Sequence, residues 1–136
     1  MRSGDALLDA LIARSLDPAE FSHRDHVAAA FAALDRFEFF QAMLVYADGL
    51  RDLARRAGVP DKFNATVTAA FMSLIAEHKA EGFRDPDEML RAHPQLLSHD
   101  LLGRWFSANR MTTDLARRIA VMPDQVVALQ AQPEQG

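Results

Sequence analysis

Two histidines three residues apart, in Phe21-Ser22-His23-Arg24-Asp25-His26-Val27, are the side chains best placed to do chemistry. Neutral imidazole is the commonest metal ligand, and a pair on one helical face can bind zinc, copper, iron or nickel if other nitrogen or oxygen ligands converge. Ser22 followed by Asp25 has the form of a capping box ahead of an apolar run, so Ser22 is the expected N-cap and His23 the first helical residue. Residues at i and i+3 share a helix face. Val27, Ala30, Phe31 and Leu34 continue the apolar stripe, so His23 and His26 are expected to point inward and Arg24 and Asp25 outward. The same spacing is common without a ligand, with one histidine buried and hydrogen-bonded and the other at the surface.

A second polar set opens a later helix, in Pro60-Asp61-Lys62-Phe63-Asn64-Ala65-Thr66-Val67-Thr68. On a wheel, Val67, Phe71, Leu74 and Ile75 form one face with Asn64, Thr68 and His78 in or beside it, while Thr66, Ser73 and Glu77 form a separate polar stripe. Lys62 could neutralise an anionic ligand at that helix start. Asn64 serves equally well as a backbone cap, and a threonine hydroxyl can bond back to a carbonyl of the preceding turn. Glu77 reads as an exposed carboxylate, or as a third ligand or proton acceptor if it reaches the histidines. His78, His93 and His99 show no matching spacing and read as ordinary surface or capping residues. Tyr46 and Trp105 read as core rings with a polar tip. The serines lack a nucleophile elbow, and there is no glycine-rich phosphate loop.

The elements that must position these groups are all helical. The pattern predicts helices over about 5–16, 23–34, 37–57, 64–81, 86–92, 98–106 and 114–121, with one more turn over 125–130 and a loose tail at 131–136. Asp17-Pro18, Gly58 with Pro60, Gly82 and His93-Pro94 are the stops. Alanines at 65, 69, 70 and 76 keep the fourth helix slim and mark it as the expected centre. The fold class is all-α, a compact single-domain bundle of about five main helices plus short helical turns, spanning residues 1–130.

The 136-residue length suits one core, and 49% hydrophobic with 25% charged residues is ordinary for a globular chain. No apolar run approaches the ~20 residues that span a bilayer, and the N-terminus lacks a signal-peptide core, so a cytoplasmic protein is expected. The absence of cysteine removes disulfides and thiolate ligands, leaving nitrogen and oxygen to hold any metal. A net charge of −4, with Arg51, Arg55 and Arg56 interleaved with Asp48 and Asp52 as on a solvated face, argues against nucleic acid as a partner.

The two helix starts also resemble those of an uncharacterised family of small all-helical bacterial proteins, which carry Phe-x-His-x-x-His-Val and, some 40 residues on, Lys-aromatic-His-x-Thr-Ile/Val-Thr. The likeness spans about residues 21–124, including Ala70-Phe71, Leu74 to Glu77 and Pro123-Asp124. It implies a third imidazole converging on the first two, a three-nitrogen site with an open position as in catalytic metal centres. Here Asn64 stands in the place of that histidine. The leading expectation is a metal-dependent enzyme acting on a small molecule. In it His23 and His26 hold one divalent ion (zinc, copper or iron), Lys62, Asn64, Thr66 and Thr68 bind substrate, and Glu77 is the catalytic carboxylate. The alternatives are a metal-free module for a small ligand or a partner protein, and histidines that are only structural. A homo-oligomer is compatible with each.

Overall fold

Side-chain caps delimit every helix of the computed structural model, which describes residues 3–125. Ser3 accepts the Ala6 N–H at the head of α1 (Gly4–Ile12), and Ser22 with Asp25 forms a complete capping box on α2 (His23–Arg36). Glu38 caps α3 (Phe39–Arg56), Asn64 caps α4 (Ala65–Lys79) and Asp85 caps α5 (Pro86–Ala92). Ser107 and Thr113 cap the short α6 (Ala108–Met111) and α7 (Asp114–Arg118). Three 3-10 turns, Pro18–Glu20, Pro60–Lys62 and Pro94–Leu97, each begin on proline. The described residues contain no strand, so the fold is all-α, and no helix is long and apolar enough to cross a membrane.

The centre is α2, where the expectation placed α4. Every residue from Val27 to Ala33 is buried, and α1, α3, α4 and α5 all pack against this helix. Its run of alanines explains why: a helix with small side chains all round can be approached closely on every side, whereas Ser73 and Glu77 leave α4 facing solvent along one edge. At its N-terminal end α1 comes so near α2 that a Cβ on Gly4 would stand 2.5 Å from the Ala28 carbonyl oxygen.

Several boundaries differ from those expected. The first helix stops at Ile12, because Arg14 adopts a left-handed conformation (φ 59°) that turns the chain back and sends Leu16 into the core. No helix forms over 98–106: Ser98 bonds to the Asp100 carboxylate, and the chain closes in turns from Gly103 N–H to Asp100 and from Trp105 N–H to Leu102. Gly103 lowers the helical preference in mid-segment, so the apolar residues of this stretch dock as turns. Asp52 is buried rather than solvated, clasped at 2.7 Å by both Arg55 and Arg56. The expected turn at 125–130 and the tail at 131–136 fall essentially outside the described residues.

The second apolar cluster, Leu102, Phe106, Ala116 and Val121, closes over α4 and buries Thr66, which was expected to bind substrate, beneath residues 119–121. That hydroxyl is buried, donates to the Ile119 carbonyl at 2.8 Å and accepts the Val121 N–H at 3.0 Å. Thr66→Val is nearly isosteric but strands both backbone groups, so we expect a loss of about 1–3 kcal/mol. Urea denaturation checks this, and an unchanged midpoint would show that residues 119–121 do not depend on the hydroxyl.

Candidate functional site

The starts of α2 and α4 face each other across α3 and leave a cleft of about 440 Å³ between them. His23 and His26 enter it from α2, Lys62, Asn64, Val67 and Thr68 from the start of α4, and Tyr46, Leu50, Leu53 and Ala54 from α3. Phe21 and Phe71 complete its walls. Two of the expected site residues lie elsewhere. Thr66 is on the far side of α4 under the C-terminal segment, and Glu77 is exposed and not part of the cleft.

The rings form a connected wall. Phe21 and His26 have centroids 4.2 Å apart, Tyr46 stacks on Phe71 at 6.3 Å, and His23 lies 6.2 Å from His26 and 6.3 Å from Phe71. The expected inward and outward division of the first turn of α2 is not observed. His26 is half-buried, His23 is exposed at the cleft edge, and Arg24 is half-buried because it reaches Asp87 of α5 at 2.9 Å. The reason is that α5 packs on the side of α2 assigned to solvent.

Hydrogen bonds fix the state of both imidazoles. His23 Nε2 lies 3.2 Å from the Leu96 carbonyl oxygen, which can only accept, so the proton sits on Nε2. Tyr46 is fully buried, and its hydroxyl lies 3.2 Å from His26 Nδ1 and 3.3 Å from the His26 carbonyl oxygen. Its single proton satisfies both contacts only if it goes to the carbonyl while Nδ1–H donates to the phenol oxygen. His26 then carries its proton on Nδ1, and Nε2 is a bare lone pair. Burial, and then repulsion from His23, push the His26 pKa down to about 4 against a weaker pull from Asp25. The ring is therefore neutral at pH 7. Burial also raises the Tyr46 phenol above its ordinary value, so it stays protonated.

Four polar atoms of the cleft residues, His23 Nδ1, His26 Nε2, Lys62 Nζ and Thr68 Oγ1, have no hydrogen-bond partner among the described residues. No fully buried side-chain nitrogen or oxygen of the described residues lacks a partner, so all four are accessible, and His26 Nε2 and Thr68 Oγ1 belong to the less exposed side chains. Asn64 is fully engaged by contrast. Its Oδ1 caps the Val67 N–H at 3.0 Å, and its Nδ2 donates to the Met111 carbonyl at 2.7 Å. With Asn64 serving as cap and clamp, the three positions present one free nitrogen on each histidine and no free third donor, so they fall short of the three-ligand set of a catalytic metal centre. Among the described residues, the group of three histidine or carboxylate side chains whose ligand atoms converge is His78, Glu81 and His93. By spacing alone His78 and His93 read as ordinary surface or capping residues; the local signal in the sequence is His78-x-x-Glu81 ahead of the Gly82 stop.

Fold and cleft together define an all-helical protein with an apolar, ring-walled pocket carrying a few aligned polar atoms. No protein-family model, curated protein or solved structure matches the chain.

Proposed function

We propose that the cleft binds a small, largely apolar molecule carrying a hydroxyl or amide donor, and that it does so without a metal ion. The observation that carries this reading is that His26 Nε2 and Thr68 Oγ1, on the less exposed polar side chains of a mostly apolar wall, are accessible and unpartnered. Ligand pockets characteristically combine such walls with a few polar groups that fix orientation, and their volumes run from about 300 to 1,000 Å³. A neutral imidazole whose pKa lies near 4 is a poor base at pH 7 but a good acceptor for a ligand O–H or N–H. Thr68 can donate or accept beside it. Lys62, exposed at the rim, suits a ligand that also carries an acidic group.

Phenol is the simplest probe, an apolar ring with one hydroxyl. Titrated into the ¹⁵N-labelled full-length chain, it should give saturable amide shifts at Phe21, His26, Tyr46, Val67 and Phe71. Ala54→Trp, which fills the cleft from α3, should abolish them. Thr68→Val should weaken binding by up to about tenfold if one hydrogen bond is lost. 4-Hydroxybenzoate should bind more tightly than phenol, with the difference removed in Lys62→Ala. Shifts that do not saturate, or that survive Ala54→Trp, would count against the cleft as a binding site.

A further inference from the structure

We propose that His78, Glu81 and His93 form a binding site for a divalent transition-metal ion, with zinc the closest chemical match. The three offer His78 Nδ1, a Glu81 carboxylate oxygen and His93 Nε2, all within 4.8 Å of one another. None of them lines the cleft described above. His78 and Glu81 come from the last turn of α4 and the turn after it, while His93 is the C-cap of α5. Gly82, in a left-handed conformation (φ 103°), starts the reversal that returns the chain to His93.

Without metal the group is held by hydrogen bonds. Glu81 Oε2 accepts from His78 Nδ1 at 2.8 Å and Oε1 accepts from His93 Nε2 at 2.9 Å, since a carboxylate can only accept. The two rings lie 4.1 Å apart, and Phe83 meets His93 edge-on at 5.7 Å, giving the site an apolar flank. Two imidazoles and one carboxylate are a zinc donor set, and three protein ligands leave a fourth position for water. Zinc bonds of about 2.1 Å put tetrahedral ligand atoms about 3.4 Å apart, which small side-chain rotations can reach from here. His78 and His93 are each 21% exposed and Glu81 47%, so an ion can enter from solvent.

Two features of the surroundings favour a cation. The site lies at the C-terminal end of α4, where the helix carries partial negative charge. The neighbouring Lys79 is drawn away, paired with Asp35 at 2.7 Å and lying over the Phe31 ring. An outer partner is also present. Gln95 Nε2 lies 3.3 Å from His93 Nδ1, and donates to it while the ring proton is on Nε2. Metal entry requires that proton on Nδ1; rotating the Gln95 amide turns its oxygen toward the ring to accept it, as second-shell partners of zinc-bound histidines do. Binding takes each imidazole in its neutral form, with the ring proton on the nitrogen turned away from the ion.

The test uses untagged full-length protein, stripped with chelator and titrated with zinc chloride by calorimetry, with cobalt(II) absorption as the spectroscopic readout. The expected result is one ion per chain at micromolar affinity or better, with intense visible cobalt bands marking tetrahedral nitrogen and oxygen ligands. His93→Ala and Glu81→Gln should each weaken binding by more than about 100-fold, and Gln95→Ala by about 10-fold. Glu81→Gln alters an exposed side chain and keeps the comparison valid if His93→Ala misfolds. His23→Ala/His26→Ala should bind zinc as the parent does. Absence of binding at millimolar zinc, binding unchanged by Glu81→Gln, or binding lost only in His23→Ala/His26→Ala would overturn the assignment.

Discussion

Leu11→Ala is expected to destabilise the protein by about 2–5 kcal/mol, and the sign of a second substitution, Gly49→Ala, should depend on whether it has been made. Leu11 is 1% exposed and packs against α3 where Gly49 removes any side chain from the interface. A Cβ on Gly49 would overlap Leu11 Cδ2 and stand 2.5 Å from its Cγ. In the parent, Gly49→Ala should therefore cost about 1–3 kcal/mol of overpacking, reduced by the better helix propensity of alanine. With Leu11 shortened the clash disappears while the propensity gain and some cavity filling remain. Gly49→Ala should then be neutral or stabilising by up to about 1 kcal/mol. Urea midpoints of the four proteins in this cycle give the coupling directly. Additive effects would mean that α1 and α3 are not in such close contact.

Acid should remove a distinct portion of stability through His26. Its pKa is held down at about 4, by burial first and His23 second, while the unfolded chain titrates near the ordinary value of about 6.5. Between those values the unfolded state binds more protons than the folded one. Stability contributed at this site is therefore complete above about pH 6.5 and falls progressively as the pH drops toward 4. At about 1.4 kcal/mol per unit, the loss is on the order of 2–3 kcal/mol. Carboxylates held low by their partners, such as Asp52 bonded to Arg56 and Arg55, also lose stability in acid. They do so equally in a His26→Gln variant. The difference in unfolding free energy between parent and His26→Gln should accordingly shift by about 2 kcal/mol against the parent between pH 7 and pH 4.5. Parallel pH profiles for the two proteins would contradict a buried, neutral His26.

The parts of the site legible in the sequence were those decided within a few residues. Ser22 and Asp25 form the box their spacing implies, Asn64 and Asp85 cap the helices they precede, and prolines and glycines place the breaks. Residues His23, His26, Lys62, Asn64 and Thr68, chosen from two separated helix starts, line one cleft. What remained hidden depended on distant chain. Tyr46 shapes the state of His26 from 20 positions away, and Thr66 is buried because residues 119–121 lie over it. His93 meets His78 and Glu81 only after the chain reverses beyond Gly82. Helical periodicity shows which residues share a face, but not what will cover that face. This is also why Arg24 was assigned to solvent when α5 was to pack beside it.

The neutral His26 with a bare Nε2 accessible beside an apolar cleft can be tested most directly by long-range ¹H–¹⁵N correlation of the imidazoles at pH 7, recorded before and after phenol. The predicted result is a His26 ring protonated on Nδ1, with a pyridine-type Nε2 resonance that moves saturably as phenol binds. A charged ring, a proton on Nε2, or an Nε2 resonance indifferent to phenol would contradict it.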